Sequence, residues 1–190
     1  MNRKSYKVIG VLAIILIATV SVSAQSSRTE LVFGLRIGAT YIAVEAWDAY
    51  NTTMQTTFPD SDRTYFPIIT QFGLNIEQRI LLGTTRSHFV FQEVLLVVGI
   101  DQNMLLPSVS TLIGFRSRAG LEIGMGPNFA MSLKDGDAVL AMSVVFAAGW
   151  TFSFSDMNVS VNIAIVPTPR DGNLRLTILS GFNFNVSRNK

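Results

Sequence analysis

From Leu31 onward, large apolar residues recur at every second position in about eight segments, with small or polar residues between them. That period of two marks β-strands with one apolar face, because successive side chains leave a strand on opposite sides. The first segment, Leu31 to Val44, sets Leu31, Phe33, Leu35, Ile37 and Tyr41 against Gly34, Arg36, Gly38 and Thr40. The second, Phe66 to Ile80, sets Phe66, Ile68, Phe72, Leu74 and Ile76 against Gln71, Gly73, Asn75, Glu77 and Arg79. The third, Phe89 to Ile100, alternates most weakly. There Val94, Leu96, Val98 and Ile100 are expected on the apolar row, with Glu93 and Gly99 opposite. Five more rows follow, carried by Val109 to Phe115, Ala119 to Met125, Leu140 to Phe154, Val159 to Ile165 and Leu176 to Val186. Turn-forming stretches separate them, among them Lys134-Asp135-Gly136-Asp137 and Pro169-Arg170-Asp171-Gly172-Asn173.

The bulky row and the polar row differ in volume as well as polarity. A narrow barrel holds little side-chain volume inside, so Gly, Ser and Asn beside a few long charged residues suit the interior. The bulky row then faces hydrocarbon, where a charge at mid-depth would cost a few kcal/mol. On this phasing no Asp, Glu, Lys or Arg occupies an outward position. Trp150, Phe152, Phe154, Phe182 and Phe184 gather near the ends of the sixth and eighth strands, as an interfacial aromatic girdle would. The prediction is an all-β, eight-stranded antiparallel up-and-down transmembrane β-barrel, whose even strand count returns both termini to one side.

The N-terminus explains how such a chain reaches a membrane. Arg3, Lys4 and Lys7 form a basic region, Val8 to Val20 an apolar one, and Val22-Ser23-Ala24 a small-residue cleavage site. Residues 1–24 therefore read as a cleaved export signal and 25–190 as the barrel domain. The absence of cysteine excludes a disulfide framework and an acylated N-terminal cysteine. The chain carries 15 basic and 13 acidic residues. The signal holds three of the bases and no acid, so the mature chain is close to neutral and offers nucleic acid no electrostatic footprint.

With this pattern, and with segments such as Gly124-Met125-Gly126-Pro127-Asn128 and Gly181-Phe182-Asn183-Phe184, the mature chain resembles the small eight-stranded bacterial outer-membrane barrels of the OmpA-transmembrane, OmpX and OmpW kind. The resemblance implies residence in the bacterial outer membrane, contact with its lipids and insertion by the barrel-assembly machinery. That family usually ends in an aromatic residue; here the last one, Phe184, lies six residues from the C-terminus.

Two groups of inward residues are the candidates for a site. Register counted from the turns gathers Arg36, Glu77, Arg79, Glu93, Arg116 and Glu122 into one charged layer on the side of the short turns. Buried charges must pair, so the layer reads either as a gate controlling passage or as a salt-bridged plug. Towards the loops, Ile42, Val44, Leu112, Val139, Val145 and Val166, with Leu95, Val97 and Ala141, would form an apolar vestibule or a plain internal core.

Catalytic, cofactor and metal motifs are missing from the sequence. There is no Gly-x-Ser-x-Gly elbow, phosphate loop, His-Glu-x-x-His or cysteine metal set, and the single histidine, His88, reads as an interfacial residue at a strand start. Two function classes follow, both non-enzymatic and without a cofactor. One is a barrel that binds or passes small hydrophobic compounds through the vestibule. The other is a structural or surface-interaction barrel with a plugged lumen, whose Ala46–Thr64 loop meets a surface partner.

Overall fold

Each strand pairs antiparallel with the next, and the last pairs with the first, closing a barrel in the computed structural model, which describes residues 29–43, 51–52, 54–56, 64–82, 87–134, 137–154, 157–167 and 174–185. The strands are β1 (Thr29–Ala43), β2 (Ile68–Leu82), β3 (Ser87–Val98), β4 (Leu106–Arg116), β5 (Leu121–Lys134), β6 (Asp137–Phe154), β7 (Met157–Pro167) and β8 (Leu174–Asn185). Residues 1–24, expected to form an export signal, Val44, most of the Ala46–Thr64 loop and the residues beyond Asn185 lie outside this set.

The register fixes the tilt. Paired residues lead from Leu31 through Gln78, Phe91, Ile113, Met125, Phe146, Ile165 and Leu176 and return to β1 at Tyr41, ten residues beyond the start. A stagger of that size inclines the strands to the axis, as closure of a small barrel requires.

Outward side chains are large and apolar all round. Leu35, Phe72, Ile123 and Phe154 are each more than half exposed, at 56, 58, 57 and 58 %. A water-soluble antiparallel sheet would turn polar side chains outward; an apolar belt with a polar interior is the arrangement of a barrel that crosses a membrane. The aromatics form the expected rim. Trp150, Phe152 and Phe154 pair across β7 with the stretch of β8 that carries Phe182 and Phe184, at the end where β1 begins and β8 finishes. Phe89 and Phe115 meet edge to face on the same end, 6.3 Å apart.

Strand limits shift where local chemistry overrides the pattern. β2 starts at Ile68 rather than Phe66, because Pro67 has no N–H to give the ladder. The Gln102 amide instead completes that edge, accepting from the Phe66 N–H at 3.2 Å and donating to the Phe66 and Ile68 carbonyls at 2.9 and 2.8 Å. β3 stops at Val98 because Gly99 adopts φ 87°, a left-handed conformation that favours glycine, and opens a 3-10 turn at Ile100–Gln102. β5 starts at Leu121, since Ser117 to Gly120 form the turn, closed by Gly120 N–H to the Ser117 carbonyl at 3.1 Å.

The phase of β3 is the reverse of the sequence expectation. Asn75 faces Val94, and Val94 faces Ser110, so Val90, Gln92, Val94, Leu96 and Val98 line the lumen. Glu93, Leu95 and Val97 fall on the outward rows instead. Residues 94 to 98 are apolar on both faces and Gln92 adjoins Glu93, so alternation within the strand could not distinguish the two phases. Pairing with β2 and β4 decides it.

Candidate functional site: a lumen filled in three layers

The inward rows pass through a succession of environments, from the end where β1 begins and β8 finishes to the opposite end. First comes a charged layer, then an apolar one, then a second polar one.

The charged layer centres on Glu77, fully buried at 0 % exposure in the middle of β2's inward row. Its Oε1 lies 2.5 Å from Arg79 Nε and 2.7 Å from Arg116 Nη1, and its Oε2 accepts from Arg116 Nη2 at 2.9 Å. Arg116 Nε lies 2.6 Å from Glu122 Oε1, which also accepts from the Thr151 hydroxyl. Arg116 Nη1 and Nε sit at ion-pair distance from these carboxylates but off the hydrogen-bond direction, so the Nη2 contact is the aligned one. Towards the rim Arg79 Nη1 stands 3.9 Å from Glu30. Two carboxylates thus hold two guanidiniums in a chain across β2, β4 and β5. Burial couples these pairs, because removing one partner leaves an uncompensated charge in the low-dielectric interior.

The six charged residues expected in this layer are not all united. Glu77, Arg79, Arg116 and Glu122 form the chain of ion pairs. Arg36 is buried in the same layer but makes no ion pair among the described residues; its Nη1 donates to the Leu35 carbonyl at 3.1 Å. The guanidinium lies against Gly181, where a Cβ would come within 2.7 Å of Arg36 Nη1. Glu93 leaves the layer altogether, as the reversed phase of β3 requires. It is buried on the outward row, where its carboxylate accepts from the Thr111 hydroxyl at 2.9 Å. Among the described outward rows it is the one acidic or basic side chain. Gln92 takes the lumen position opposite Glu77 and donates to Asn75 Oδ1 at 2.6 Å.

The apolar layer is made by Val94, Leu96, Leu112, Val145, Ala164 and Val166, with Val98, Ala147 and Leu179 packed at its edge. Leu112, Val145 and Val166 therefore meet as expected, packed in one apolar cluster. Leu95 and Val97, expected here, lie outside the wall. Ile42 belongs to a separate cluster nearer the mouth, where Tyr65, Ile69 and Met104 bury themselves with Met54, Val98 and Leu106. Ala141 occupies an inward position of β6, opposite Ala130; Val139 pairs with Ser132 in the β5–β6 ladder, its side chain being outside what the structure describes, and Val44 lies outside the described residues. Between the charged and apolar layers a cavity of about 30 Å³ remains, bordered by Gln92, Leu112, Arg116, Glu122 and Asn162. That is room for about two water molecules.

Beyond the apolar layer lies a polar one that sequence reasoning did not assemble. Asn128 donates to the hydroxyls of Ser108 and Ser110, both at 2.9 Å, and its Oδ1 receives the Ser143 hydroxyl at 3.4 Å. Arg175 reaches across from β8 to Asn128 Oδ1 and Ser143 Oγ, each at 3.3 Å. Thr40 and Thr177 share a hydrogen bond of 2.5 Å, and Gln71 donates to Thr40. Thr40 and Gln71 were expected on polar rows, but the convergence of all these residues across the tube depends on the stagger.

His88 stands on the inward row of β3 opposite Arg116, half-buried, near the end that holds the termini. Among the described residues no group of three His, Cys, Asp or Glu side chains could hold a metal ion.

An apolar belt outside, polar and apolar side chains packed inside, and closed up-and-down topology define an eight-stranded antiparallel barrel of the membrane-spanning kind. No protein-family model and no curated protein matches the chain. Solved structures do. Ail, the attachment invasion locus protein of Yersinia pestis, crystallised with the heparin analogue sucrose octasulfate, is 11 % identical over 83 % of this chain and 99 % of its own, with a TM-score of 0.50. Neisserial surface protein A is 8 % identical over 82 % of this chain and 96 % of its own, with a TM-score of 0.39. At this identity the likeness is one of fold.

Proposed function

We propose that this chain is a non-catalytic resident of the bacterial outer membrane, delivered by residues 1–24 and inserted by the barrel-assembly machinery, whose lumen is filled. Its work then falls to the outer surface, which meets membrane lipid, and to the loops, which meet a partner at the cell surface. One observation carries this reading: Glu77 is wholly buried between Arg79 and Arg116, directly below a packed apolar layer. Passage of a hydrophobic compound would require Leu112, Val145 and Val166 to separate from contacts they already make, which favours the filled barrel over the conducting one.

Single-channel recording in planar bilayers tests the proposal. The purified barrel should insert without discrete openings. Openings in the parent, altered by Arg36→Ala, would replace the plug with a gated pore. A protein that stays soluble without detergent would overturn the membrane assignment.

A further inference from the structure

Four arginines point into the described lumen, and two of them have carboxylate partners at ion-pair distance in the charged layer. Arg175 stands apart from all of these, on the far side of the apolar layer, at the second residue of β8. Its row partners are Ile42 and Val166, both apolar. Its Nη2 reaches neutral acceptors only, Asn128 Oδ1 and Ser143 Oγ, at 3.3 Å each, and its Nε is buried with no partner. Charge-assisted hydrogen bonds normally close to about 2.7–2.9 Å, so both are loose. A partly buried guanidinium turned into the barrel, weakly bonded and with no carboxylate at ion-pair distance among the described residues, lacks the negative charge that burial of a cation calls for.

The surroundings say what would supply it. Ser108, Ser110 and Ser143 place three hydroxyls around Asn128, on the wall that Arg175 faces across the tube. Hydroxyls and a planar fork of N–H donors suit the oxygens of a compact oxyanion. The residues of the apolar layer lie between this polar cluster and Glu77 and Glu122, and Arg175 makes no ion pair with either carboxylate. We propose that the polar cluster around Arg175 is a binding site for a small free oxyanion, a carboxylate or sulfate, held by Arg175 with Ser143. The inference stands whether or not the charged layer is closed, because it concerns the opposite half of the lumen.

Urea unfolding of the purified barrel in detergent tests this, with sodium sulfate, sodium acetate and sodium chloride compared at equal ionic strength. In the parent, sulfate or acetate should raise the unfolding midpoint along a saturable curve beyond the effect of chloride. Arg175→Gln should abolish that specific rise while raising the midpoint in oxyanion-free buffer, because it removes an unneutralised cation. Arg175→Lys should retain part of the response, and Arg36→Gln, in the other layer, all of it. Equal responses in the parent and Arg175→Gln would overturn the proposal, as would a parent response indistinguishable from chloride. Should Arg175→Gln fail to fold, Ser143→Ala serves instead, with a saturation midpoint shifted to several-fold higher oxyanion; an unchanged midpoint would count against the site.

Discussion

The charged layer and the apolar layer fill the same tube a few residues apart, by opposite means. Around Glu77 the space is closed by a few long side chains in defined geometry, each needing its partner. Around Leu112 it is closed by many short contacts, none of them indispensable. The first arrangement should respond to substitution abruptly and the second by degrees, because a buried charge without its partner costs far more than a missing methyl group.

The largest effect is expected at Glu77. Glu77→Ala leaves Arg79 and Arg116 without their shared carboxylate and should lower barrel stability by about 3–5 kcal/mol, read from urea unfolding in detergent. Removing Arg116 in the same molecule should recover part of that loss; if the two losses simply add, the layer is not a coupled unit. A smaller effect is expected in the apolar layer, where Leu112→Ala should cost about 2–3 kcal/mol by the same measurement. A loss as large as that at Glu77 would erase the distinction between the layers. The smallest effect, of opposite sign, is expected outside the tube. Glu93→Leu replaces the one acidic side chain on the described outward rows and should stabilise the inserted barrel by about 1 kcal/mol. Destabilisation instead would mean that the Glu93–Thr111 pair contributes more than its burial costs.

Glu93 also shows where legibility ended. β1, β2 and β4 to β8 were phased from sequence because each opposes bulky apolar residues to Gly, Ser, Asn or Arg, as Leu35 and Ile37 do to Gly34 and Arg36. β3 offers no such contrast, since Val94 to Val98 are all apolar and either face could be buried. Its misphasing moved Glu93 into the charged layer and kept Gln92 out. The polar cluster around Arg175 is illegible for a different reason. Arg175, Asn128 and Ser143 lie on different strands, and only the barrel stagger shows that they meet.

The sequence by itself determined the class of fold, the inward and outward rows of seven strands, and the presence of buried charge needing partners. These follow from a period of two and from residue volume, both local along the chain. The tertiary structure alone decided the phase of β3, the chain of ion pairs through Glu77 and Arg116, the exclusion of Arg36 from it, and the separation of the lumen into three layers. Those depend on how far each strand slides against its neighbours, a quantity set by the sum of all eight pairings that no single segment encodes.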